Sequence, residues 1–205
     1  MKLFVRISLV VLILAGGALL TLPMSWFPSF YDVRYMGIAS IAGAITILIV
    51  PATLRVSKTR PGAEQKNRAA DLFQFALALA IIGNALGDLG LYQLYKAGFE
   101  FDKLLHFSVS ALGVFLIPII VRERFGIPVA RTLPFAFLVI VASGFGWEAY
   151  EYLVDHAWGT HIFGVNGLDV NTDTTFDLAW DGIGALVGSF IALLKIKYPG
   201  VARRR

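Results

Sequence analysis

The stretch Phe101–Val121, FDKLLHFSVSALGVFLIPIIV, decides the fold. Beyond its opening Asp102, Lys103 and His106 it carries no ionisable side chain, and it is long enough to cross a ~30 Å hydrocarbon core as a helix. Its first turns pair Asp102 with His106 at i,i+4, on one helical face. The same pattern, an apolar run with acids at one end, recurs along the chain. Spans are expected at about 3–22, 35–54, 72–95, 102–121, 133–153 and 175–194. With 57% hydrophobic and 16% charged residues, the chain is too apolar for an ordinary soluble domain. The expected fold is all-α: a polytopic membrane helix bundle of six transmembrane helices. Residues 1–205 form one membrane domain, in which 1–70 supply two N-terminal helices and a basic cytoplasmic linker. Residues 71–200 supply a four-helix unit carrying the polar cluster.

Charge placement orients the bundle. Basic residues gather at Lys2 and Arg6, at Arg55 to Arg68, at Arg122 to Arg131 and at Lys195 to Arg205. Six crossings put all four groups on one side, leaving Arg34, Lys96 and Lys103 on the other, a split of fifteen against three. The positive-inside rule then places both termini in the cytoplasm. The net charge of +4 is thereby accounted for by topology, and no nucleic-acid partner is expected. Lys2 and Arg6 before an apolar run also resemble a secretory signal. The run reaches Leu22 and ends at Pro23, Met24 and Ser25 without a small-x-small site, so it is read as an uncleaved first helix. The absence of cysteine excludes disulfides, thiolate metal sites and cysteine nucleophiles.

The acids lie on the other side. Beside Asp102 and His106 stand Glu148 with Glu151, and Asp177 with Asp181, each pair at helical spacing near a span end; Asp88 lies in the outer half of the third span. Ionisable groups are costly to insert into a membrane and mark functional sites by default. Alternating helix directions bring these residues into one layer, open to the outer face. Carboxylates gathered in low dielectric cannot all stay ionised without a cation, retained protons or a cationic substrate head group. A divalent cation is expected on His106, Glu148, Asp177 and Asp181, with Asp102 and Glu151 orienting them; carboxylates plus one imidazole suit Mg²⁺, Mn²⁺, Fe²⁺ or Zn²⁺. His106 and Glu148 are the candidate catalytic pair, and Asp88, Asp102 and Glu151 the candidate substrate contacts. The ExxH spacing of helical-bundle di-metal sites is missing.

Between the fifth and sixth spans, Val154–Thr174 is the longest outer loop and a candidate lid. Asp169, Asn171 and Asp173 alternate like the start of a calcium loop, but its Gly and closing Glu are absent. Thr172 and Asp173 are expected to cap the last helix. Pro23–Arg34 carries Trp26, Phe27, Phe30 and Tyr31, an interfacial aromatic belt.

Three runs carry a family resemblance: FDKLLHF (Phe101–Phe107), WEAYEY (Trp147–Tyr152) and DTTFDLAWDGIGALVG (Asp173–Gly188). Together they resemble the VanZ-like and YjdF-like bacterial inner-membrane proteins over about 100–190. The paired glutamates and DT-x-x-D are closer to the YjdF-like pattern; VanZ-like proteins more often have Gln where Glu151 stands. The resemblance implies a multi-pass protein of the bacterial inner membrane, and VanZ-like members are associated with teicoplanin resistance.

Three classes of function follow. One is metal-assisted chemistry on, or binding of, a lipid or cell-envelope precursor, with His106 or a glutamate as general base. Another is a proton- or cation-coupled transporter relaying through Asp88, Asp177 and Asp181, and a third is a structural or regulatory membrane protein. No GxSxG, HExxH or phosphatase-type arginine signature is present. The topology is testable with a Gly62→Cys variant, which impermeant reagents should label only from the cytoplasmic side. Labelling from outside would overturn it.

Overall fold

The computed structural model describes residues 1–27, 32–57, 61–160 and 169–197. Phe30, Tyr31, Lys58, Arg60, the centre of the candidate lid and Arg203 to Arg205 lie outside the described residues. Among those described there are six α-helices, two short 3₁₀ helices and no strand: α1 (Lys2–Thr21), α2 (Val33–Leu54), α3 (Ala63–Asp88), α4 (Phe101–Phe125), α5 (Val129–Trp158) and α6 (Val170–Lys197). All six are long and apolar enough to cross a membrane. Large side chains point outward as lipid-facing residues do, with Leu138 65% and Phe190 61% exposed.

Two departures from the expected spans have local causes. The third helix starts at Ala63 and stops at Asp88, not near 72 and 95. Its polar first turns, including Glu64, Lys66 and Arg68, extend beyond the apolar stretch that hydropathy detects. At its other end Gly90 adopts φ +131, a conformation that side-chain-bearing residues rarely take, and the chain turns into a 3₁₀ helix, Leu91–Ala97. The Tyr92 ring folds back over Gly87, where a Cβ would collide with it, and its hydroxyl donates to Asn84 Oδ1 at 2.8 Å. Burial, with Asp102 and Asp88 nearby, pushes that hydroxyl well above the ordinary tyrosine pKa and keeps it a donor. At α6 it is Asp169, not Thr172 or Asp173, that serves the helix start: its carboxylate accepts from the Thr172 N–H at 3.3 Å.

Specific polar contacts fix the helix pairs. Pro51 inside α2 has no N–H for the Ile47 carbonyl one turn back, and Gln74 of α3 donates to that carbonyl instead, at 3.0 Å. Arg55 pairs with Asp71 at 2.7 Å beside it. Arg34 donates to the Leu19 and Leu22 carbonyls at 2.6 and 3.2 Å, closing the end of α1. One apolar cluster joins α1, α2 and α3 through Leu12, Ile47 and Ala78. Another joins α4, α5 and α6 through Val114, Leu133 and Ala185. The two halves meet where α3 packs on α4.

The closest pair is α4 with α6. Gly184 lies against the Phe107 carbonyl and Gly188 against the Ala111 carbonyl, the same four-residue step on both helices. The helices therefore run parallel, and small residues let their backbones touch. Gly188→Ala should drive a methyl into the Ala111 backbone and lower stability by about 1–3 kcal/mol. Gly182→Ala, whose new methyl meets open space, should be neutral or slightly stabilising. Thermal unfolding in detergent compares them; equal effects would refute the packing role.

Candidate functional site

Parallel packing places the first turns of α4 and α6 side by side, so Lys103 meets Asp173 and Asp177, and His106 and Ser110 meet Asp181. The Lys103 ammonium is buried and has three donors. It spends them on Asp173 Oδ1, at 2.5 Å, Asp177 Oδ1, at 2.7 Å, and its neighbour Asp102, at 3.2 Å. Asp173, Asp177 and Asp181 recur at steps of four on the α6 face that Gly184 and Gly188 continue. Of the three basic residues expected at this end, Arg34 closes α1 and Lys96 lies by the Tyr95 ring. Only Lys103 serves the acids.

His106 is held from one side and faces a cluster on the other. Its Nδ1 is 3.2 Å from Asp181 Oδ2, so that nitrogen carries a proton when Asp181 is ionised. Ser110 donates to the other Asp181 oxygen at 2.6 Å. Gly144 of α5 makes room for this carboxylate, because a Cβ there would strike Asp181 Oδ2. The Nε2 atom faces Asp102 Oδ1 and Asp177 Oδ1 at 3.8 Å each and Glu148 Oε1 at 4.0 Å. These separations are too long for hydrogen bonds. Asp102, His106 and Asp177 offer ligand atoms within 4.8 Å of one another.

Glu148 comes to this point from α5. It is 6% exposed, and its Oε1 has no hydrogen-bond partner. A buried, unpartnered carboxylate oxygen costs several times what a neutral group does unless something compensates it. Asp102 is the most open of the group, with 19% of its side chain exposed, so the cluster opens there. Glu151 lies one turn beyond Glu148, outside the contacts made to His106 and Lys103. Asp88 lines a cavity on the far side of the His106 ring.

That cavity encloses about 520 Å³ between α2, α3, α4 and α5. At one end Tyr35 of α2 and Tyr150 of α5 bridge it through a 2.9 Å hydroxyl–hydroxyl hydrogen bond. Sequence reasoning missed this pair, as it missed Ser110, Gly144 and the central place of Lys103. Ser110 stands four residues after His106 on its face, a signal open to reading; the tyrosines, 115 residues apart, gave none.

Six spanning helices around a buried ammonium–carboxylate–imidazole cluster define a polytopic membrane protein with a polar layer at one end. The chain belongs to the family described as Predicted membrane protein (DUF2238), whose model matches residues 9–197. Neither a curated protein nor a solved structure matches it.

Removing the ammonium should leave Asp173 and Asp177 buried without their partner. Lys103→Met is therefore expected to lose about 3–5 kcal/mol of stability, and adding Asp173→Asn should restore part of it. Unfolding in detergent measures both, and an unchanged Lys103→Met would show that the ion pairs do not hold α4 to α6.

Proposed function

We propose that this end of the bundle holds a divalent cation among His106, Asp102, Asp177 and Glu148, and that the site binds or acts on a lipid or cell-envelope precursor at the outer face of the bacterial inner membrane. The observation that carries the reading is the buried Glu148 Oε1, which has no partner and faces His106 Nε2 at 4.0 Å. Metal–ligand bonds of about 2.0–2.2 Å set neighbouring ligand atoms roughly 3–4 Å apart, near the spacing around Nε2. Charge supports it too. Asp102, Asp173, Asp177, Asp181 and Glu148 face only Lys103 and His106, so negative charge exceeds positive by three even with the imidazole protonated.

On this reading two of the parts expected from sequence change places. Asp181 meets Nδ1, the wrong nitrogen for a shared ion, and fits the carboxylate that orients a ligating histidine. Asp102, on the Nε2 side, takes its place as a ligand. A bound dication would polarise a phosphoryl or carbonyl oxygen or activate water. This chain's own part is to fix the imidazole through Asp181 and Ser110 and to keep Lys103 beside the reacting groups. Should His106, Asp102 and Asp177 hold the ion without it, Glu148 is the candidate general base; Glu151 and Asp88 remain candidate substrate contacts.

The outer-face placement rests on the basic split, and the envelope setting on the resemblance of 100–190 to the VanZ-like and YjdF-like proteins. A transport path has less support: the inner half of the cavity is lined by Ala42, Leu77, Ile81 and Ile140, with no acid or base to continue a relay.

Elemental analysis of protein purified without chelator tests the proposal. Wild type should carry near-stoichiometric metal, Glu148→Gln and Asp177→Asn should lose it, and Asp181→Asn should weaken affinity about 10–100-fold. Sub-stoichiometric metal in the wild type would reject it in favour of shared protons.

A further inference from the structure

The cavity beside His106 has the dimensions and polarity of a lipid site. Tyr35 to Thr46 on α2, Asp88 to Leu77 on α3 and Tyr150 to Ile140 on α5 each cover about 15–17 Å at the helical rise. Three helices thus agree on a depth of roughly half the ~30 Å hydrocarbon core. The volume of about 520 Å³ falls in the range of small-molecule sites, about 300–1,000 Å³. Its deep half is apolar in effect as well as in composition. The Thr46 and Ser143 hydroxyls that reach it donate to the Ala42 and Val139 carbonyls of their own helices, at 2.8 Å each, and ask nothing of an occupant. α2 and α5 are not packed along their length, so the seam below the Tyr35–Tyr150 bridge is the side through which a chain enters from the bilayer.

The shallow end sets the head group. The cavity's charged lining is Asp88 near that end, with His106 and Asp181 paired deeper at the level of Gly144, and among the described residues no lysine or arginine lines it. Asp102, Glu148 and Asp177 do not line it either, so a cation held by them would not be presented to this side. A phosphate head would meet the Asp88 carboxylate, and His106, the cationic group on the wall, is already engaged by Asp181; an ammonium would find the Asp88 carboxylate near the end that Tyr35 and Tyr150 bridge.

We infer that this cavity binds a single-chain amphiphile with an ammonium head, its chain between α2 and α5 and its head against the Asp88 carboxylate. The inference deepens the function proposed above and rests on it for a lipid ligand at His106, but not for the metal. The cavity lies on the Nδ1 side of the same ring whose Nε2 faces the cation cluster.

The test uses full-length protein in phosphatidylcholine nanodiscs and three dodecyl photoprobes with a diazirine at the chain end: an amine, a phosphate and an alcohol. The amine should label Thr46, Leu77 or Ile140 at least ~10-fold above the phosphate, the ratio that about 1.4 kcal/mol of head-group preference gives. Leu138 and Phe135, 65% and 63% exposed, serve as lipid-facing controls. Ala39→Phe should fill the cavity and abolish labelling while leaving metal content unchanged. Equal labelling by amine and phosphate, or labelling confined to the lipid-facing controls, would overturn the inference whatever becomes of the variant. Repeating the comparison on chelator-treated protein separates the two readings. Amine labelling without stoichiometric metal sinks only the cation site, and metal without selective labelling sinks only the amphiphile.

Discussion

Acids gathered at one end of an apolar bundle need compensation, and the Lys103 ammonium is where this chain begins to supply it. Two of its N–H groups tie the first turn of α4 to two successive turns of α6, and the third goes to Asp102 beside it, which sets the rotation of both helices. With that rotation fixed, Gly184 and Gly188 face the α4 backbone and His106 faces Asp181. The same ion pairs that stitch the fold also concentrate charge. A buried ion pair is often no better for stability than well-packed apolar residues. Its persistence here, beside a histidine and the unpartnered Glu148 Oε1, fits a site whose polarity is used rather than one kept for strength.

His106 divides that end of the molecule in two. On one side of the ring lie ligand-like oxygens at 3.8–4.0 Å, and on the other a carboxylate that orients it and a cavity descending between helices. One imidazole therefore borders two chemically unlike spaces, a compact anionic pocket and an amphipathic slot. The slot exists because α2 and α5 are held together by hydroxyls at one end instead of by packing along their faces.

The spans were legible because length and hydropathy are properties of a single segment. Boundaries moved by about five residues where α5 and α6 run into the loop expected over 154–174; at α3, where they moved furthest, the cause was one glycine conformation at Gly90 and a charged helical extension that hydropathy does not register. The acidic layer was legible from spacing: Asp102 with His106, and Asp177 with Asp181, declare shared faces on their own helices. Which helices would be neighbours was not. The meeting of Lys103 with Asp173, the seat of Asp181 beside Gly144 and the Tyr35–Tyr150 bridge all depend on contacts between segments far apart in the chain, and no local pattern encodes them. Nor does any local pattern say that Asp102 faces Nε2 of His106 and Asp181 its Nδ1.

The parallel course of α4 and α6 also has a consequence for biogenesis. Two parallel spans require a third between them, so Lys103 leaves the ribosome seventy residues ahead of Asp173. At about 5–20 residues per second, that interval is roughly 4–14 s. Throughout it, the nascent chain must keep an ammonium at the membrane boundary with only Asp102 at hand, its long stem letting the charge reach interfacial water. The Lys103 ion pairs can therefore close only once α6 is made.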